Sequence, residues 1–156
     1  MSPRNCWLAV FSLKTWQQFC DAGGRVAGFP GHRWQQVQQI RVSDYLLCYL
    51  RGVSRWVAVL EVITEPYVDT TPIWGPDQYP CRVGTRTIVA LTPETGVPIR
   101  EMQDHLSIFC KDISRWGVYV RVSPRLWDHA DAEFITKALL DASQNPVSRP
   151  LDTQLR

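Results

Sequence analysis

The sequence predicts an α+β domain built on a strongly curved, mostly antiparallel or mixed sheet of about five to six strands, with helices packed outside it and at one mouth. Three observations lead there. Strand-like apolar runs follow one another with few helical stretches between them, which favours a sheet curling on itself over alternating strand–helix units. The 156 residues suit one domain. An apolar fraction of 45% is enough for a real core, and no internal repeat is present.

Each element has its own signal. Residues 6–11, Cys-Trp-Leu-Ala-Val-Phe, read as a buried strand; the run is short and no small-residue cleavage site follows, so it is not a signal peptide. Thr15 caps a short helix with Trp16, Phe19 and Cys20 at i, i+3, i+4, and Gly23-Gly24 ends it. Gly28-Phe29-Pro30-Gly31 is a loop with unusual backbone freedom. Arg33 to Ile40 reads as a helix with Trp34, Val37 and Ile40 along one side. Val42-Ser43-Asp44 turns into a buried strand, Tyr45 to Leu50. Arg51-Gly52 then opens a loop to the strand Trp56 to Ile63. Alternation there puts Trp56, Ala58, Leu60 and Val62 on one face and Val57, Val59 and Ile63 on the other. Glu65 to Asp69 bends the chain away, and residues 70–81 form an irregular loop carrying Trp74 and Tyr79. Arg82 to Leu91 is a further strand, Pro98 to Leu106 a short helix after a Pro start, and Val118 to Val122 a final strand or extended piece. Asp128 caps the last helix, whose stripe is Ala130, Phe134, Ile135, Ala138 and Leu139. Residues 1–142 make the domain; 143–156, polar with two Pro, make a tail or linker.

Composition bounds the function. No stretch of about 18 apolar residues exists, so no membrane span is expected. Five Cys at wide intervals, with no CxxC, favour reduced thiols in a cytoplasm over a metal site or disulfide framework. Net charge is only +2, yet residues 1–60 hold seven Lys or Arg against two acids. Any nucleic-acid contact should therefore run through a local basic face. Fourteen of the 17 basic residues are Arg, whose planar fork grips phosphate as Lys cannot.

Catalytic signals are absent. The three His (His32, His105, His129) fall in polar loops or near helix ends, and Asp104-His105 and Asp128-His129 read as solvated or capping pairs. No phosphate-binding glycine loop, dinucleotide fingerprint or zinc spacing occurs. No catalytic residue, metal or cofactor is expected, and the chain is expected to be a monomer.

What is present is aromatic. Seven Trp occur (Trp7, Trp16, Trp34, Trp56, Trp74, Trp116, Trp127), with Arg beside Trp at 33–34, 55–56 and 115–116. Rings beside guanidinium groups are the ingredients of a pocket for a base with a phosphate attached. Trp7 reads as core and Trp16 as a helix anchor. Trp56 reads as core or mouth, and Trp74 as a lid. Trp34 is either packing or a pocket wall. Arg33, Arg41, Arg51 and Arg55 are the phosphate candidates.

In order along the chain stand Cys-Trp-Leu-Ala-Val from Cys6, Val-Ala-Gly-Phe-Pro from Val26, and Ile-Arg-Val-Ser-Asp from Ile40. Glu-Pro-Tyr-Val-Asp from Glu65, Tyr-Pro-Cys-Arg-Val from Tyr79 and Ser-Arg-Trp-Gly from Ser114 follow. This collinear set, spanning about Trp7 to Leu140, resembles the EVE domain family, one of the PUA-like folds and related in shape to YTH readers. The resemblance implies a closed or nearly closed barrel with a pocket for a flipped-out base. It also implies a reader of modified bases in DNA or RNA, some members being fused to nucleases. It puts Ser12, the Gly28-Phe29-Pro30 loop and Tyr49 at the pocket, and Arg82 and Trp116 in recurring pieces. Where similar proteins often carry Trp, this chain has Ala27. Phe29 or Trp34 replaces that ring, or the pocket is larger and less selective.

The expected function is thus a non-catalytic module flipping a modified base, by preference modified cytosine in DNA, with a fused or partner nuclease as effector. The alternatives are a reader of modified RNA, such as methyladenine, and an enzyme or binder acting on a nucleotide-like molecule through Asp69 or His32.

Overall fold

The computed structural model describes residues 4–73, 79–107 and 113–151, the side chains of 113–116 excepted. The chain runs β1 (Cys6–Phe11), α1 (Leu13–Asp21), β2 (Val26–Phe29), a 3-10 turn (Gly31–Arg33) leading into α2 (Trp34–Val37), β3 (Tyr45–Leu50), β4 (Arg55–Val62), β5 (Tyr67–Val68), β6 (Cys81–Ala90) and β7 (Val97–Pro98). Further 3-10 turns at Ile99–Glu101, Gln103–His105 and Ile113–Val120 precede β8 (Arg125–Trp127) and α3 (His129–Gln144). Six strands in the order β2-β6-β4-β3-β1-β8 form a curled half-barrel, with β5 added to β6 and β7 to β4. The curved mixed sheet expected from the sequence is the fold. Among the described residues the strand path ends at β2 and β8 without closing.

All neighbours pair antiparallel except β1 and β3, which run parallel in register from Cys6–Tyr45 to Phe11–Leu50. Both faces are covered. Trp7, Ala9, Leu46, Cys48, Leu50, Leu60 and Val62 pack beneath α1 with Trp16 and Phe19. Leu8, Leu47, Tyr49, Trp56 and Val59 pack beneath α3 with Ile135 and Leu139. Period-2 alternation along β1 and β3 therefore feeds two cores. Along β4 it fails. Cys48 pairs with Ala58 but Tyr49 with Trp56, so Val57 is an extra residue. Past this bulge Val57 and Ala58 both join the α1-side core while Trp56 stays on the other face. The single-face set predicted for Trp56 and Ala58 is corrected accordingly.

Helix ends follow local chemistry. Ser12, not Thr15, is the α1 cap: its hydroxyl accepts from the Thr15 N–H at 3.0 Å, and the Thr15 hydroxyl accepts from the Ser12 N–H at 2.9 Å. Gly23 (φ +98°) and Gly24 (φ +67°) terminate the helix, their N–H groups reaching the Cys20 and Phe19 carbonyls. Asp128 caps α3 as expected, accepting from the Asp131 N–H at 3.0 Å. Phe134, predicted for the buried stripe, is exposed and stacks on His105.

Three elements differ from expectation. Val26–Phe29 is a strand, because β6 offers it an antiparallel edge. The helix predicted to reach Ile40 stops at Val37, although Val37 and Ile40 are both buried. Val118–Val122, β-branched enough to read as a strand, pairs with none: Val118 to Val120 finish a 3-10 turn, and Arg121 and Val122 bend beyond it. The chain beyond α3 also departs from a tail beginning at 143. Helix α3 runs to Gln144, and the following segment is fastened. Buried Arg55 donates to the carbonyls of Pro93 (2.9 Å), Glu94 (3.2 Å), Arg149 (3.0 Å) and Pro150 (2.8 Å).

The amino ends of β1 and β3 are latched by Asp44, which is buried. Its Oδ1 accepts from the Asn5 N–H (3.1 Å), and its Oδ2 accepts from the Trp7 indole N–H and the Arg41 N–H (both 2.9 Å). Cys6, Cys20, Cys48 and Cys81 are free thiols, each pushed above its ordinary value chiefly by burial; Cys110 lies outside the described residues. Among the described residues no helix is long and apolar enough to cross a membrane.

Two outcomes follow from this packing. Asp44→Ala strands three donors and is expected to cost about 3 kcal/mol in urea unfolding, at an unchanged m-value. A loss under about 1 kcal/mol would remove the latch from the account. Tyr49 is edge-on to Trp56 with ring centroids 5.1 Å apart, and burial pushes its phenol up to about 12 from an ordinary 10. The neutral form is the one the fold favours. Its contribution is therefore complete below pH 10 and disappears as pH rises toward 12, at most about 2–3 kcal/mol. Alkaline unfolding of Tyr49→Phe should lack that slope; an identical pH profile in both proteins would count against a buried neutral phenol.

Candidate nucleic-acid pocket

The parallel pair determines where the pocket lies. Strands β1 and β3 end side by side at Phe11 and Leu50, and the chain leaves them in different directions, α1 from one and the Arg51 turn from the other. A pocket of about 330 Å³ opens there. Val10, Phe11, Ser12 and Thr15 line it from the end of β1 and the start of α1. Gly28, Phe29, Pro30, His32 and Arg33 come from the end of β2 and the turn after it. Arg51, Tyr79, Arg121, Val122 and Ser123 complete it. The volume lies at the small end of the roughly 300–1,000 Å³ typical of ligand sites, the scale of one base with its sugar.

The pocket is apolar beneath and cationic around its rim. Phe29 is 2% exposed and belongs to the α1-side core, so the floor is an extension of that core. Phe11 sits beside it, edge-on to Trp16 at 5.2 Å. The rim carries Arg33, Arg51, Arg121 and His32, and among the described residues no Asp or Glu lines the pocket. Arg51, Arg121 and His32 are exposed. Arg33 is half-buried and anchored, one Nη donating to the Pro124 carbonyl at 2.9 Å. Hydroxyls of Ser12, Thr15 and Ser123 supply polar contacts. Ser123 is held by the Val10 N–H at 3.1 Å, and Ser12 by its own cap. This arrangement suits a flat heterocycle joined to an anion. Among the described residues no cluster of three His, Cys, Asp or Glu could hold a metal ion.

Ser12, Gly28, Phe29, Pro30, Arg33 and Arg51, all singled out in the sequence, come together here. Others do not. Tyr49 faces the opposite core, because its alternation partner is Trp56. Trp34 packs half-buried against the α1-side core instead of lining the pocket. Arg82, 2% exposed, donates to the carbonyls of Tyr79 (3.0 Å) and Thr71 (2.5 Å). Arg55 is consumed by the four carbonyls already described. Arg41 lies at the amino end of β3, away from the pocket at its carboxyl end. Trp74 and the Trp116 side chain lie outside the described residues. None of the five Trp side chains described lines the pocket: Trp7, Trp16, Trp56 and Trp127 are core, and Trp34 packs against it. Ala27 is 1% exposed and opposite Val83; of its two candidate replacements, Phe29 reaches the pocket.

Sequence reasoning missed Tyr79, Arg121 and Ser123 as lining residues, and named His32 only under the alternative of an enzyme or binder in the same pocket. For Tyr79, its place in the Tyr-Pro-Cys-Arg-Val piece was an available signal. For Arg121 and Ser123 none was, because their segment reads as a strand.

The sequence matches no protein-family model, and a search of curated proteins gives no match. Solved structures do match. The Pho92 YTH domain in complex with m6A superposes with a TM-score of 0.69 at 12% identity, over 95% of this chain and 90% of that one. The YTH domain of the Zygosaccharomyces rouxii MRB1 protein, in complex with N6-methyladenosine RNA, gives 0.60 at 14% identity, covering 95% and 94%. Rpa0253 from Rhodopseudomonas palustris gives 0.61 at 18% identity, covering 86% and 92%. These likenesses show that the chain has a YTH-type, PUA-like fold.

Proposed function

We propose that this chain is a non-catalytic reader of modified RNA, taking one unstacked methylated adenine from a single strand into the pocket at the carboxyl ends of β1 and β3. The pocket lining is the observation that carries this reading: rings beneath, hydroxyls to one side, and three arginines with a histidine around a rim with no carboxylate among the described residues. Recognition of single-stranded RNA joins a stacking surface for the splayed base to cationic contacts for the neighbouring phosphates. Extruding a base costs least when the strand is already unpaired. The methyl group adds no hydrogen bond, so preference for it must come from apolar fit, which Phe29 and Phe11 can supply.

Modified cytosine in DNA was the expectation from the sequence, and modified adenine in RNA the alternative. The alternative is preferred because the Pho92 and MRB1 YTH domains, built on the same fold, hold m6A and N6-methyladenosine RNA. The EVE-like order of sequence pieces belongs to the same reading, since it too points to a base pocket at the end of the first strand.

The test is binding of the full chain to otherwise identical single-stranded oligonucleotides: RNA with N6-methyladenosine, the same RNA unmodified, and DNA with 5-methylcytosine. Methylated RNA should bind about 10- to 100-fold more tightly than unmodified RNA. Replacing exposed Arg51 and Arg121 with Ala should lower the salt slope by roughly 0.7 each, the value for single strands, with stability changed by less than about 0.5 kcal/mol. Equal binding of modified and unmodified RNA would reject the reading, and preference for the DNA would return it to modified cytosine.

A further inference from the structure

We infer that Arg82 is a positioning residue for this pocket: from within β6 it fixes the chain on both flanks of the loop after β5 and so sets the place of Tyr79 and the Gly31 turn. The inference rests on the pocket being the base site. Arg82 sits on β6 opposite Gly28 of β2 on one side and Tyr67 of β5 on the other. Its guanidinium spans three acceptors: the Tyr79 carbonyl, the Thr71 carbonyl and, at 3.5 Å, the Asp69 carboxylate. The flanks are also tied to each other, because the Asp69 N–H donates to the Pro80 carbonyl (2.9 Å) and the Thr71 N–H to Asp69 Oδ1 (2.8 Å).

Both pocket walls are attached to this knot. Tyr79 itself lines the pocket. Cys81, next to Arg82, donates its thiol to the Gly31 carbonyl at 3.8 Å, and the Cγ of Pro80 stands at ordinary contact range, 3.6 Å, from the place a Cβ on Gly31 would occupy. Gly31 is followed directly by His32 and Arg33 of the rim. One buried group thus holds the Tyr79 wall by a direct bond and the Gly31 wall by contact. Only a planar fork meets acceptors in three directions at once; a lysine ammonium on a flexible stem cannot hold all three in place. Arg82 is almost wholly buried, so it acts on a ligand through these neighbours and not by touching a phosphate.

The experiment is a double-mutant cycle in the full chain. Binding of a single-stranded oligoribonucleotide with one N6-methyladenosine is measured for the parent, Arg82→Lys, Tyr79→Ala and the double variant. Arg82→Lys should bind about tenfold more weakly at an unchanged salt slope. Tyr79→Ala should cost less in the Arg82→Lys background than in the parent, because the ring has already lost its place. Losses that simply add, or a salt slope that falls by about 0.7 as for a lost phosphate contact, would overturn the inference. Asp69→Asn changes an exposed carboxylate of the same knot and provides a second variant if the lysine protein does not fold; it should show the same coupling at smaller size. Amide exchange without ligand gives an independent readout: Asp69, Thr71 and Arg33 should exchange faster in Arg82→Lys while Leu60 in β4 does not. Unchanged exchange at those three amides overturns the inference even if no oligonucleotide binds, whereas failure of the parent to bind rejects only the functional reading.

Discussion

The parallel pairing of β1 with β3 is the constraint on which the rest depends. In a wholly antiparallel sheet, neighbouring strands finish at opposite ends, and no two exits stand together. One parallel pair changes that. Phe11 and Leu50 end side by side, and the chain diverges into α1 and the Arg51 turn, leaving a crevice between. The same logic places ligands at the carboxyl ends of parallel strands in open α/β sheets. Here the register is held from the far end by Asp44, which binds the Asn5 and Trp7 N–H groups of the β1 segment and the Arg41 N–H before β3. A slip of one residue would turn Trp7 and Leu8 to each other's faces and disrupt both cores.

Arginine is used in two opposed ways. Arg55 and Arg82 are 6% and 2% exposed, and a buried guanidinium is tolerable only when its donors are occupied. Backbone carbonyls accept from both Nη atoms of Arg55 and from Nε and Nη2 of Arg82, whose Nη1 forms an ion pair with Asp69 at 3.5 Å. The two guanidinium groups hold, respectively, the segment after α3 and the flanks of the loop that supplies Tyr79. Arg51 and Arg121 stand exposed at the rim, with no carboxylate among the described residues of the pocket lining to neutralise them. The anchored Arg33 lies between these cases. Of the buried pair only Arg82 stands beside the pocket, and the exposed pair gives the pocket its charge.

Much of the fold was legible because local signals agreed with the tertiary answer. The strands β1, β3, β4 and β6, the glycine end of α1 and the Asp128 cap all lie where apolar patterning and turn chemistry put them. Misses arose where a partner decided. Val26–Phe29 carries Gly and is only four residues long, and it is a strand because β6 is beside it. Val118–Val122 has strand-like residues yet joins no strand of the sheet. A single bulge at Val57 was enough to part Trp56 from the face it was predicted to share with Ala58, Leu60 and Val62, and to bring Val57 onto that face. In the pocket, Ser12, Phe29 and Pro30 were placed by the family resemblance, and Arg51 by its membership of the basic half of the chain. Tyr49 and Trp34 were not legible, since burial on one face or the other depends on packing across the sheet. An exposed Arg and a buried one look alike in sequence, which is why Arg55 was taken for a phosphate contact.

The central claim is that one unstacked base enters the crevice at the carboxyl ends of β1 and β3. Amide chemical-shift mapping of the full chain, titrated with single-stranded RNA carrying N6-methyladenosine, tests it most directly. The account predicts saturable shifts concentrated at Ser12, Gly28 to Arg33, Arg51 and Arg121 to Ser123. Shifts centred instead on the opposite end of the sheet, around Arg4, Arg41 and Arg86, or on the outer face of α3, would contradict it.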